Sequence, residues 1–123
     1  MKNLIIRIFL IAVLSISSVS FAQGVNKVSL LNELNKTYGV ALSVDEKTYY
    51  ENANNALVLE LFGLEEKNLS KESRDKEIDK LFDKRDKTLT SSLGINKYSD
   101  IKAKTGDKTA ETIQKVKEAK MTP

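Results

Sequence analysis

The chain has no cysteine, no histidine and no tryptophan, and its single proline is the last residue, Pro123. Without thiols it can form no disulfide, thiolate metal site or lipoprotein attachment, so its stability must come from packing. Without histidine it lacks the commonest general base and the commonest imidazole metal ligand. Serine or threonine catalysis would then need a lysine base, and acid hydrolysis would need two carboxylates in one cleft. An excess of one charge is missing too, with 20 basic residues against 17 acidic ones. A nucleic-acid footprint would need lysines gathered on one face, and this fine mixture of signs argues against one.

What is present begins with a leader. Lys2 and Arg7 form a positive start, Ile8 to Leu14 an apolar run, and Ser20-Phe21-Ala22 a small-x-small cleavage site before Gln23. Met1 to Ala22 therefore read as a cleaved secretory signal peptide, which places the mature protein in the periplasm or outside the cell. The alternative is a retained membrane anchor. A span needs roughly 20 predominantly apolar residues, and Ser15, Ser17, Ser18 and Ser20 interrupt this stretch. Contact with a membrane is expected only through this segment, if it is not removed. Residues 23–123 suffice for one small domain. Setting aside Lys2 and Arg7 leaves 18 basic against 17 acidic residues, so the basic character belongs partly to the leader.

The mature sequence reads as helices. Val28, Leu31, Leu34 and Tyr38, widened by Leu30, predict a first helix over Val25 to Tyr38 that ends at Gly39. Ser43-Val44-Asp45-Glu46 is a capping box, and it opens a second helix carrying Tyr49, Ala53, Ala56, Leu57, Leu61 and Leu64. Val58, Leu59 and Phe62 spread that stripe over most of the surface, and Gly63 should end or loosen the helix. The run Ala56 to Phe62 would also suit a buried strand, but no second strand-like run exists to pair with it. After a Ser70 cap, a third helix over Lys71 to Leu93 shows a narrow stripe of Ile78, Leu81, Phe82, Leu89 and Leu93, with Arg85 inside it. Glu72 with Lys76 and Asp83 with Lys87 are oriented i,i+4 pairs. One or two helical turns are expected near Tyr98 to Lys104. A final short helix should start at Gly106-Asp107, with a thin seam of Ala110, Ile113, Val116 and Met121. So few apolar contacts predict that 105–123 packs loosely. The expected fold is all-α, a bundle of three to four helices built around a helical hairpin. One chain has barely enough apolar surface, which leaves room for a homodimer.

No motif identifies a reaction. Asp79, Asp83 and Asp86 share a helical face, but interleaved lysines make it a self-neutralising solvated surface, and no metal is expected. Tyr49, Tyr50, Glu51, Asn52, Asn54 and Asn55 would suit a sugar, although no second acid accompanies Glu51. Ser70-Lys71 and Ser91-Ser92 are better read as helix-end residues than as nucleophiles. The chain is therefore expected to be a binding protein without cofactor, not an enzyme.

Arg85-Asp86-Lys87-Thr88-Leu89-Thr90-Ser91-Ser92-Leu93, followed by Asn96-Lys97-Tyr98, resembles the LTxxQ-motif small periplasmic proteins. Leu89 and Thr90 match the start of the motif, while Leu93 stands where glutamine belongs. The resemblance covers Lys71 to Lys102. It implies a helical, often dimeric cradle that holds unfolded clients or envelope-stress partners without ATP, using Leu57, Leu61, Phe62, Leu81 and Phe82 or their neighbours. The alternative is an adaptor subunit that docks on one envelope partner.

Overall fold

In the computed structural model, which describes residues 25–119 and 121–122, the chain is a four-helix all-α bundle. The leader, with its cleavage site, lies outside the described residues. Helix α1 spans Lys27–Asn35, α2 Val44–Glu65, α3 Lys71–Leu93 and α4 Ile95–Glu118. A two-residue parallel pairing of β1 (Val25–Asn26) with β2 (Met121–Thr122) ties the two ends of the described chain together.

The helix starts are set by local chemistry. Asn26 caps α1, its Oδ1 accepting from the amides of Val28 at 2.9 Å and Ser29 at 3.3 Å. At α2 the capping box is complete. The Glu46 amide donates to Ser43 Oγ at 3.1 Å, and the Ser43 amide donates to Glu46 Oε1 at 2.9 Å. Ser70 caps α3 through the Ser73 amide at 3.2 Å. Gly94, at φ 87°, serves α3 and α4 at once, a left-handed backbone that suits glycine.

Three expected boundaries move. The first helix stops at Asn35, because the chain turns extended at Lys36 and then passes through Tyr38 and Gly39 at positive φ. Its buried residues are Leu30 and Leu34, so Val28 and Tyr38 lie exposed. Gly63 does not end α2, and Gly106 does not begin a separate helix but lies within α4. One helical glycine costs about 1 kcal/mol. Burial of Leu61 and Leu64 around Gly63, and of Ile101 and Val116 on either side of Gly106, outweighs that cost.

Helices α2 and α3 form an antiparallel hairpin, and α4 returns antiparallel along α3. Glu65 at the end of α2 meets Arg74 near the start of α3, while Asp79 of α3 meets Lys117 near the end of α4 at 2.8 Å. Two apolar clusters fill the bundle. One gathers Leu30, Leu34, Leu57, Val58, Leu61, Leu64, Ile78, Phe82 and Val116, and the other Tyr50, Ala53, Leu89, Tyr98 and Ile101. Along α2 the boundary between them falls at Asn54, and along α3 at Arg85.

The buried seam of α4 is Tyr98, Ile101, Thr105, Thr112 and Val116, at helical spacing. Ala110 is exposed and Ile113 half-buried. Thr105 and Thr112 serve as small core residues because their hydroxyls donate to the carbonyls of Ile101 and Lys108, each at 2.9 Å. At its C-terminal end α4 is held by Arg74, which donates to the carbonyls of Lys117, Val116 and Ala119 at 3.0–3.1 Å while binding Glu65 Oε1 at 2.7 Å. A cation there satisfies carbonyls that the helix leaves unpaired and complements its dipole.

Candidate functional site

Two features stand out from this frame: a buried polar layer and an uncharged outer helix face. The polar layer begins with Asn54, which is fully buried. Its Nδ2 donates to the Leu34 carbonyl at 3.0 Å and to Asn35 Oδ1 at 2.8 Å, which turns Oδ1 toward α3. Arg85, only 5% exposed, donates from Nε to that oxygen at 2.5 Å and from Nη2 to the Tyr50 hydroxyl at 3.2 Å. The guanidinium carbon also lies 5.5 Å from the centre of the Tyr50 ring, within reach of a cation–π attraction.

Next to Arg85 on α3, Asp86 accepts a hydrogen bond from the Tyr98 hydroxyl of α4. Lys102 approaches the same carboxylate at 3.8 Å, and Arg85 Nη1 lies 3.9 Å from it. One network thus spans all four helices: Leu34 and Asn35 of α1, Tyr50 and Asn54 of α2, Arg85 and Asp86 of α3, and Tyr98 and Lys102 of α4. Burial pushes the Tyr98 hydroxyl far above the usual tyrosine range, against the pull of Arg85, and the hydrogen bond to Asp86 pushes the same way. Tyr50 is also raised, chiefly by burial, with Arg85 opposing. Both hydroxyls therefore stay protonated wherever the bundle is folded at ordinary pH.

The outer face of α2 has the opposite character. Thr48, Asn52, Asn55, Leu59 and Phe62 follow each other at three- and four-residue steps between Asp45 and Glu66, with Ala56 and Gly63 beside them, and none is charged. At about 1.5 Å per residue this strip is about 22 Å long. Leu59 is 59% exposed, Asn52, Asn55 and Ala56 are exposed, and Phe62 is half-buried. Charged side chains flank the strip, Glu51 on one side and Glu60, bound to Lys84 at 2.9 Å, on the other. In a chain whose residues are 30% charged, a surface of this length without charge is unusual.

Of the five residues expected to face a client, Leu57, Leu61 and Phe82 are buried in the core, and Phe62 and Leu81 are half-buried against it. The α2–α3 hairpin turns those positions toward each other, so the folded bundle does not present them as one surface. Of the apolar stripe, Tyr49, Ala56 and Leu59 lie exposed, whereas Val58 is buried. Asn54 and Tyr50, read beside Asn52 and Asn55 as a possible sugar surface, instead hold Arg85 inside the bundle. Asn54 stands four residues after Tyr50 and three before Leu57, so its place on the core stripe could have been read from spacing. Asp79 and Asp86 face different partners, Lys117 and the Tyr98–Lys102 pair. Among the described residues no group of three acidic side chains is arranged to hold a metal ion, and no helix is long and apolar enough to cross a membrane.

Clefts are small. One crevice of about 10 Å³, between the end of α1 and α4, is lined by Glu33, Tyr38, Tyr50, Thr105 and Thr109 among others. Another, of about 40 Å³, lies between α2 and α3. No protein-family model, no curated protein and no solved structure matches the chain.

Proposed function

We propose that this is an exported, non-catalytic binding protein that holds partly unfolded polypeptide along the outer face of α2, without nucleotide. The observation that carries the reading is the uncharged strip from Thr48 to Gly63. Leu59 and Phe62 supply apolar contact, Asn52 and Asn55 supply amides that can hydrogen-bond an exposed peptide backbone, and the surrounding charges keep the complex in solution. The amino-terminal leader supports export of the mature chain.

The test is light scattering by an aggregating, unrelated protein in the presence of stoichiometric amounts of this one, without ATP. The wild type should suppress aggregation. Changing both Leu59→Ser and Phe62→Ser should abolish suppression while helical circular dichroism stays the same, since Leu59 is exposed and Phe62 only half-buried. Full suppression by the double variant, or none by the wild type, would refute the holding role.

A second reading has one observation in its favour. The strip lies on a single preformed helix and is not a cradle, which suits docking on one dedicated envelope partner. That reading predicts a single cross-linked partner and no general effect on aggregation.

A further inference from the structure

Helix α2 is the one helix in which acids outnumber bases: Asp45, Glu46, Glu51, Glu60 and Glu65 stand against Lys47 alone. The other three are balanced or basic. Helix α2 also carries Val44, Tyr49 and Leu59, three of the six large apolar side chains that the described residues leave exposed. Apolar contact and negative charge therefore share one element, and they are set out in order along it. The row of Thr48, Asn52, Asn55, Leu59 and Phe62 continues by the same helical steps to Asp45 at one end and to Glu66 at the other, where the backbone is still helical.

The two end acids differ from those along the sides. Glu51 lies 3.9 Å from Lys47, Glu60 2.9 Å from Lys84 and Glu65 2.7 Å from Arg74, so these three are balanced within the molecule. Asp45 and Glu66 are exposed, and among the described residues their carboxylates take part in no hydrogen bond or ion pair. At about 1.5 Å per residue the two positions stand about 32 Å apart. An extended chain covers that length in about nine or ten residues at about 3.3 Å each.

We infer that the strip selects its polypeptide by charge, taking an extended uncharged segment with a basic residue near each end, about nine positions apart. One cation meets Asp45 and the other Glu66, while Leu59 and Phe62 contact the apolar middle. Complementary charges at the ends fix the register and favour encounter, and the apolar contact supplies affinity. A segment with acidic ends would set like charges together and be rejected. Selection of this kind rests on the holding role of the strip, and adds which segments it prefers.

Fluorescence anisotropy with labelled peptides of about ten residues tests this directly. Each peptide alternates valine and serine between two end residues, which are both lysine, both glutamine or both glutamate. Lysine ends should bind about tenfold more tightly than glutamate ends, with glutamine ends between them. The difference should shrink at about 0.5 M salt. Two lysines at the same end should bind more weakly than one at each end. Asp45→Lys with Glu66→Lys should reverse the order of the three peptides. Asp45→Asn with Glu66→Gln should level it, while helical circular dichroism stays the same. Lys67→Gln, which removes the cation next to Glu66 in sequence, should strengthen binding of the lysine-ended peptide. Equal binding of all three peptides to the wild type would overturn the selection and leave the holding role standing. An order that the lysine double variant does not change would also overturn it, since the preference would then arise elsewhere on the molecule. No binding of any peptide would remove the strip as a binding surface, and this selection with it.

Discussion

The Asn54 amide joins α1 to α3 through α2. Asn54→Ala would leave the Arg85 Nε, the Leu34 carbonyl and Asn35 Oδ1 without their partners. A buried group stripped of its hydrogen bond costs about 1–3 kcal/mol, and more when it is charged. The expected loss is about 3 kcal/mol of unfolding free energy, measured by urea denaturation. The tyrosines of the same layer give a pH prediction. The folded state holds the Tyr98 and Tyr50 hydroxyls above the ordinary value of 10.0. Folding therefore favours their protonated forms, and this contribution is complete below pH 10 and lost as pH rises beyond it. The alkaline unfolding midpoint should move upward in Tyr98→Phe, which cannot ionise, once its own loss of stability at neutral pH is subtracted. An unchanged alkaline slope would contradict that assignment.

At the level of the element, glycine gives opposite predictions at different places. Gly63 and Gly106 lie inside α2 and α4 with ordinary helical backbone, and a Cβ added at either meets nothing within 4 Å. Gly63→Ala and Gly106→Ala should each stabilise the bundle by about 0.5–1 kcal/mol. Gly94→Ala should destabilise it, because φ is +87° there. Differential scanning calorimetry of the three variants checks the signs. Arg74→Ala should leave the middle of α4 intact and speed hydrogen exchange in its last turn, where three carbonyls lose their donor.

Local signals made several elements legible from the residues alone. The capping box at Ser43 and the span of α3, from the Ser70 cap to Gly94, follow from short-range chemistry, and the structure has both. The continuity of α4 was hidden because Thr105, Thr109 and Thr112 read as polar, although their hydroxyls turn back onto their own helix at Thr105 and Thr112. The face of α1 was misplaced for another reason. Leu30 and Leu31 are adjacent, and only the position of α2 decides which is buried. As for the site, Arg85 was visible as a charge within an apolar stripe, but its partner Asn54 is 31 residues away. No periodicity reports a contact between two helices.

The whole molecule is a bundle whose charged exterior is interrupted along α2, while Arg85 is the one buried cation among the described residues. Stability and binding are therefore expected to separate. Substitutions in the layer of Asn54, Arg85 and Tyr98 should lower stability, and substitutions at Leu59 should leave it unchanged while altering association. The most direct test of the holding role is photo-crosslinking to an unfolding client from single positions on the surface. A probe at Asn52 or Leu59, on the uncharged strip, should yield abundant adducts. A probe at Ala110, exposed on α4 beside charged residues, should yield few. Equal yields from Leu59 and Ala110, or adducts from Ala110 alone, would contradict the proposal that the outer face of α2 is the binding surface.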